Sequence, residues 1–371
     1  FIAFGIFWYF ITLSLTSGVI PLRDLAVEHR LYLPLIGIVV IISVFLNLII
    51  SVSKKSSVKQ LAYFTLLVFL PIIVFSSLTI KRNFVWKDEK SLWSDAAKKS
   101  PRLSRPLNNL AEAYDKIGLA YGDKKEYEKA IHALNKALSI SPTAYKSYNN
   151  LGKIYGRLGQ YDPAIENLKL ALKYNPDYPI AHYNLGKVYE LKGMLDNAIE
   201  EYSTAFKQQD DFFEACFNLA NVYDQKGQRK KALDTYLTCR KFKPSFPKVY
   251  FAIGNVLIKT GNLDKAFKYY SLAVELDRNY HPAKIAMANI FVMKNNFSEA
   301  LEIYQQVLKS DPNNYDVHNN LGLVFLQHMN NPAKAAHHFK KSLEINPEQQ
   351  KAVLLRELLK KLSGVGGQSA E

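Results

Sequence analysis

Cysteine is almost absent from this sequence: Cys216 and Cys239 are the only two in 371 residues. Two cysteines cannot supply a disulfide framework in place of a core. Both fall at small, buried positions of a repeating pattern described below, so they are read as core residues rather than as a bridge or metal ligands. Charge is also scarce over residues 1–80, where Arg23, Arg30, Lys54, Lys55 and Lys59 face only Asp24 and Glu28. The net charge of +15 therefore sits almost wholly in residues 81–371. It is spread there without a basic run, which argues against nucleic acid as a partner. No phosphate-binding loop, dinucleotide fingerprint, HExxH or nucleophile elbow occurs, so no cofactor, metal or catalytic residue is expected within this chain. His337 and His338 are adjacent rather than four apart, which reads as solvated helix surface. An initiator methionine is missing too: Phe1 opens inside an apolar run, and the chain is expected to be the C-terminal part of a longer polypeptide.

Long apolar runs, by contrast, are present. Residues 1–22, 31–52 and 61–80 carry no charge, and each reaches the roughly 20 residues needed to cross a bilayer. Three in succession predict three transmembrane helices rather than a signal peptide or buried core helices. The first loop and everything after the third span then share one side of the membrane. The positive-inside rule pulls both ways: Lys54, Lys55 and Lys59 favour a cytoplasmic second loop, while Arg23, Arg30, Lys81, Arg82, Lys87 and Lys90 outnumber them on the other side.

The remainder is periodic. Leu151-Gly152, Leu185-Gly186, Leu219-Ala220, Ile253-Gly254, Met287-Ala288 and Leu321-Gly322 recur every 34 residues. Small residues follow at Ala164, Ala198, Ala232, Ala266, Ala300 and Ala335, then Leu168, Tyr202, Tyr236, Tyr270, Tyr304 and Phe339. Pro176, Pro244, Pro312 and Pro347 close four of these six units. The pattern resembles the tetratricopeptide-repeat (TPR) family, whose fold is an all-α, right-handed superhelix of helix-turn-helix repeats. Small residues would let the two helices of a hairpin approach, and aromatics would fill the space to the next. Gly159, Gly193, Gly227 and Gly261 are expected to end the first helices. Asp162-Pro163, Asp196 and Asp264 are expected to start the second ones as N-cap or N1 residues, and Ser298 to cap another. An earlier unit carries Leu110-Ala111, Tyr114, Gly118, Ala130, Leu134, Ala137 and Pro142, with seven extra residues expected to lengthen its turn.

The expected organisation is a membrane region over 1–80, a juxtamembrane segment and half repeat over 81–101, and seven repeats over 102–347. A capping helix over 348–362 and a disordered tail over 363–371 complete it. Leu92, Trp93, Ala96 and Pro101 carry the half repeat, while Trp86 and Trp93 suit either a headgroup anchor or packing on the first repeat. In the capping helix Val353, Leu354, Leu358, Leu359 and Leu362 are expected to cover the last hairpin.

First helices line the concave face of TPR arrays. Asn109, Asn150, Asn184, Asn218 and Asn320 precede the repeated pair, with Ala252 and Ala286 interrupting the row. The row resembles the asparagine ladder in the TPR arm of the O-linked N-acetylglucosamine transferase. Such amides can hold an extended peptide or protein segment without demanding its sequence. Tyr183, Phe217 and Phe251, one residue earlier, suit an aromatic groove floor or packing between hairpins. The Lys, Asn and Arg pattern of the chaperone-type carboxylate clamp is absent.

Glu28-His29-Arg30-Leu31-Tyr32-Leu33-Pro34, then Arg82-Asn83, Trp86 and Ser91-Leu92-Trp93, carry a second resemblance. They look like the C-terminal part of the transmembrane-and-TPR proteins of the C-type glycosyltransferase superfamily, with Leu35 a departure where relatives often have serine. That resemblance implies a lipid-phosphate sugar donor, with Glu28, His29 and Arg30 near its phosphate; an Arg30 snorkelling to the interface is the alternative. It also implies an extracytoplasmic array (periplasm, cell exterior or ER lumen) that presents the acceptor. The competing expectation is a non-catalytic membrane scaffold that assembles a protein complex.

Overall fold

The computed structural model describes residues 87–365. The three apolar spans, Glu28, His29 and Arg30, Trp86 and residues 366–371 lie outside the described residues. Among the described residues there are sixteen α-helices, no strand, and no helix long and apolar enough to cross a membrane.

The chain divides into two units, Phe1–Pro101 and Arg102–Glu371. In the first, helix α1 (Glu89–Lys99) carries Leu92, Trp93 and Ala96 and buries none of its residues. Asp88 caps it, accepting from the backbone N–H of Ser91 at 2.7 Å.

The second unit is a row of seven helical hairpins. They pair α2 (Ser104–Tyr121) with α3 (Lys124–Ile140), α4 (Tyr145–Arg157) with α5 (Tyr161–Tyr174), and α6 (Pro179–Leu191) with α7 (Leu195–Gln208). Next come α8 (Phe213–Gln225) with α9 (Arg229–Phe242) and α10 (Pro247–Lys259) with α11 (Leu263–Leu276). The row ends with α12 (His281–Met293) and α13 (Phe297–Ser310), then α14 (Tyr315–Gln327) and α15 (Pro332–Ile345), followed by α16 (Ala352–Val365). Each hairpin touches the next. First helices also touch first helices, α2 with α4 and α4 with α6, whereas no two second helices approach to that extent. Over the first three hairpins the row therefore bends toward its first helices, whose side we call the inner face.

The sequence period has a steric origin. A Cβ on Gly186 would lie 2.7 Å from the Tyr202 ring, so the absent side chain is the room into which the partner helix fits. Tyr202, Tyr270, Tyr304 and Phe339 are buried at that contact, with Ala198, Ala266, Ala300 and Ala335 beside them. Gly159, Gly193, Gly227 and Gly261 make the turns with φ between 72° and 80°. Asn295 (φ 61°) and Asn330 (φ 46°) do so in the sixth and seventh hairpins, asparagine tolerating the left-handed region best after glycine.

Several expectations are corrected. The extra residues of the first hairpin lengthen its helices, to 18 and 17 residues, instead of its turn. Gly122 (φ 64°) makes that turn, and Gly118 stays inside the helix against Tyr127. Asp162, Asp196 and Asp264 do not cap: each is the second residue of its helix, because the carbonyls of Gln160, Met194 and Asn262 already accept the first helical bonds. Their carboxylates reach across to the next hairpin, to Lys192, to Lys226, and to Lys294 at 2.5 Å. Ser298 is likewise the second residue of α13, behind Asn296. In α16 the buried anchor is Leu355; Leu358, Leu359 and Leu362 pack beside it, whereas Val353 and Leu354 face outward. This helix also runs to Val365, into the stretch expected to be disordered.

The cysteines are corrected as well. Cys216 of α8 and Cys239 of α9 form a disulfide, with Cα atoms 5.7 Å apart. Both positions face the partner helix of the same hairpin, and the close approach that small residues allow brings the two sulfurs within bonding reach.

Candidate functional site

Asn150, Asn184, Asn218 and Asn320 stand half-buried along the inner face, with Asn109 at its start. Their amides are tied sideways. Asn150 Nδ2 donates to Asn108 Oδ1 at 3.3 Å, Asn184 Nδ2 to Asn149 Oδ1 at 2.8 Å, and Asn320 Nδ2 to Asn289 Oδ1 at 3.2 Å. Asn218 Nδ2 lies 3.4 Å from the hydroxyls of Tyr183 and Tyr202. These lateral bonds fix each carboxamide and connect successive hairpins.

A second row, one helical turn further along, escaped the sequence reading. The Tyr236 hydroxyl donates to Asn221 Oδ1 at 2.5 Å, Tyr270 to Asn255 Oδ1 at 2.8 Å, and Tyr304 to Asn289 Oδ1. Burial pushes all three phenols up, Tyr270 to about 12, so they remain protonated donors. With each carbonyl oxygen held by a tyrosine, the Asn NH2 groups are what these side chains have left to offer, as donors. The signal was available: asparagine and tyrosine recur together every 34 residues, fifteen apart. In the third hairpin the equivalent position is Lys187, and the Tyr202 hydroxyl donates to Glu190 Oε2 at 2.7 Å instead.

Tyr183, Phe217 and Phe251 serve as packing between hairpins. Each lies against the tyrosine of its own hairpin (Tyr202, Tyr236, Tyr270) and the first aromatic of the next (Phe212, Phe246, Tyr280), with ring centroids 5.1–6.3 Å apart. Phe217 is buried, whereas Phe251 also lines the groove.

The inner face changes character along the array. At the second and third hairpins it carries Lys153, Arg157 and Lys187. Lys153 (2.9 Å) and Arg157 both pair with Asp115 of α2, which is 2% exposed. Lys187 is solvent-exposed and lies over the Tyr183 ring at 5.7 Å. Neighbouring hairpins displace part of the water around it, and with Arg157 nearby its pKa is pressed down. At the fifth to seventh hairpins a cavity of about 530 Å3 opens, walled by Phe251, Ile258, Ile285 and Met293 with Asn255 and Asn289.

His338, expected on solvated surface, is half-buried. Its ring stacks on Phe325 with centroids 5.6 Å apart, and its Nδ1 lies 2.9 Å from that of His318. No cluster of potential metal ligands occurs among the described residues.

Family models described as TPR repeat match residues 118–159, 157–193 and 288–328, and tetratricopeptide-repeat models match 180–212, 247–280 and 215–243. No curated protein matches the chain. Among solved structures, the C-terminal part of a TPR repeat-containing protein from Cytophaga hutchinsonii superposes with a TM-score of 0.53 at 18% identity, over 68% of this chain and 98% of that one. A crystal structure of MamA shares 30% identity over 42% of this chain and 91% of its own, with a TM-score of 0.40. YrrB, titled a TPR protein with an unusual peptide-binding site, shares 24% identity over 52% and 100%, with a TM-score of 0.40. The family matches together span more than half of the sequence: the chain belongs to the tetratricopeptide-repeat family.

Proposed function

We propose that the inner face of the array binds an extended protein or peptide segment. The observation that carries this reading is the row of Asn221, Asn255 and Asn289, whose carbonyls are occupied by buried tyrosine hydroxyls, which leaves their amide hydrogens to donate to a ligand. Fixed donors at regular intervals suit the carbonyls of an extended backbone. The ladder of Asn109, Asn150, Asn184 and Asn218 leads up to them, and Asn320 follows after the interruption at Ala252 and Ala286.

The test is a selection of random 16-residue peptides displayed on phage against the full chain in mild detergent. Asn→Asp at 221, 255 and 289 keeps the oxygen that each tyrosine needs and removes the donors. Enrichment that falls at least tenfold in this variant supports the reading. Equal recovery from both proteins would sink it.

The membrane context belongs to the same proposal. Three spans over 1–22, 31–52 and 61–80 would tether the array to a lipid bilayer. The array would be the acceptor-presenting part of a glycosyltransferase-like protein, and Glu28, His29 and Arg30 would meet a lipid-phosphate sugar donor. The motif residues 28–34 support this, and the Cys216–Cys239 disulfide favours an oxidising, extracytoplasmic compartment. Full transfer activity in an Arg30→Ala variant of the intact enzyme would remove Arg30 from the mechanism.

A further inference from the structure

The donor row changes its chemistry along the groove. From the second to the sixth hairpin its members are Lys153, Lys187, Asn221, Asn255 and Asn289, all of them donor side chains, while the equivalent positions of the first and seventh hairpins are Glu112 and Leu323. The first two are charged and the last three neutral, so the row asks for acceptors throughout but for an anion at one end only. At that end Lys153 and Arg157 share a single carboxylate, Asp115. Lys187 forms no ion pair among the described residues, and Glu190 beside it already accepts from Tyr202. Of the three cations, Lys187 is thus the one without a carboxylate of its own. Losing water without gaining a partner disfavours the ammonium of Lys187, in line with its lowered pKa, and an incoming carboxylate would relieve that cost.

The other end is built to opposite specifications. Where the asparagine ladder is interrupted, Ala252 and Ala286 leave room. The space above Ala286 is part of the cavity of about 530 Å3, whose apolar walls include Ile258, Ile285 and Met293. Met293 is 59% exposed. A cavity of this size accepts a bulky apolar side chain, and Asn255 and Asn289 at its side would hold the backbone that carries it.

Resting on the peptide-binding reading, we infer that the groove selects a segment of fixed polarity. An Asp or Glu side chain lies against Lys187, Lys153 and Arg157, and a bulky apolar side chain fills the cavity of the fifth to seventh hairpins. The interruption of the ladder at Ala286 is then the specificity pocket rather than a lapse in the pattern.

The same phage selection on the full chain tests this, 16 extended residues reaching at most about 55 Å. Peptides enriched by the unaltered protein are expected to share an acidic residue and, at a constant separation, Leu, Ile, Met, Phe or Trp. Lys187→Glu should cut recovery of the acidic class at least tenfold and keep the apolar preference. Met293→Asp, with Ala286→Trp as an independent block of the cavity, should do the reverse. Lys187 and Met293 are exposed, so their variants leave the core intact, which a thermal melt verifies. An acid preference unchanged by Lys187→Glu, or an apolar preference that survives both cavity variants, overturns the inference. So do enriched peptides that depend on Asn221, Asn255 and Asn289 but share no such signature, although they would leave the binding reading standing. No enrichment over the triple Asn→Asp protein would remove both.

Discussion

Asp115 holds the first hairpin to the second through one carboxylate buried on α2 that faces Lys153 and Arg157 of α4. Removing one partner of a buried pair costs more than the pair contributes, because the charges left behind are not resolvated. Both cations here keep access to water, at 28% and 30% exposure, which moderates the effect. Asp115→Ala is expected to destabilise the array by about 1–3 kcal/mol in urea unfolding. An unchanged midpoint would show that the pair contributes nothing. His338 gives a second prediction. Burial, with His318 and His337 close by, holds it neutral down to about 4 in the folded chain, against about 6.5 when unfolded. Between these values the unfolded chain takes up a proton that the folded one refuses. Stability is therefore full above about pH 6.5, falls as the pH drops, and levels off near 4, a loss of roughly 1–3 kcal/mol. His338→Asn should flatten that part of the profile, and a slope that stays the same would assign it to other groups. Neither residue was readable in advance: nothing local marks His338 as facing Phe325 and His318, contacts set by the packing of α14 against α15.

At the scale of the hairpin the sequence was most explicit where sterics allow one answer. Gly159, Gly193, Gly227 and Gly261 mark turns because the left-handed conformation is costly for other residues, and the Leu-Gly pairs mark the close approach of two helices. Gly186→Val would place a branched side chain in the Tyr202 ring. It is expected to cost about 1–3 kcal/mol as overpacking, while the same change at Gly156, where a Cβ meets only a Val188 methyl at 3.1 Å, should cost less. Equal melting temperatures for the two variants would contradict this account. Helix starts were harder to place. An Asp near a helix start fits both the cap and the first turn in a linear reading. The turn geometry decides, by letting the carbonyl two residues earlier begin the helical bonding. The extra residues of the first hairpin were equally ambiguous, since Leu119, Ala120 and Tyr121 continue a helix as readily as they extend a loop.

For the whole molecule, a period of 34 residues carried the fold, because each repeat buries its surface only against its neighbours. The asparagine ladder was visible for the same reason. The second amide row was overlooked because its meaning lies in tyrosine hydroxyls fifteen residues away on another helix. The disulfide was missed because two small buried residues look alike on paper whether or not their sulfurs bond. It sits in the fourth of seven hairpins, and the third and fifth both pack against the element it staples. Its 23-residue separation implies a loop-closure contribution of about 3 kcal/mol. Reduction is therefore expected to weaken the middle of the stack first, exposing amides of α8 and α9 to hydrogen exchange before those of α14 and α15. The same bond reports on compartment. If the array faces an oxidising space, a thiol-reactive polymer added to freshly lysed, unreduced and denatured material should leave Cys216 and Cys239 unlabelled, and prior reduction should add two labels. Full labelling without reductant would place the repeats in a reducing compartment, and the acceptor-presenting role outside the cytoplasm would fall with it.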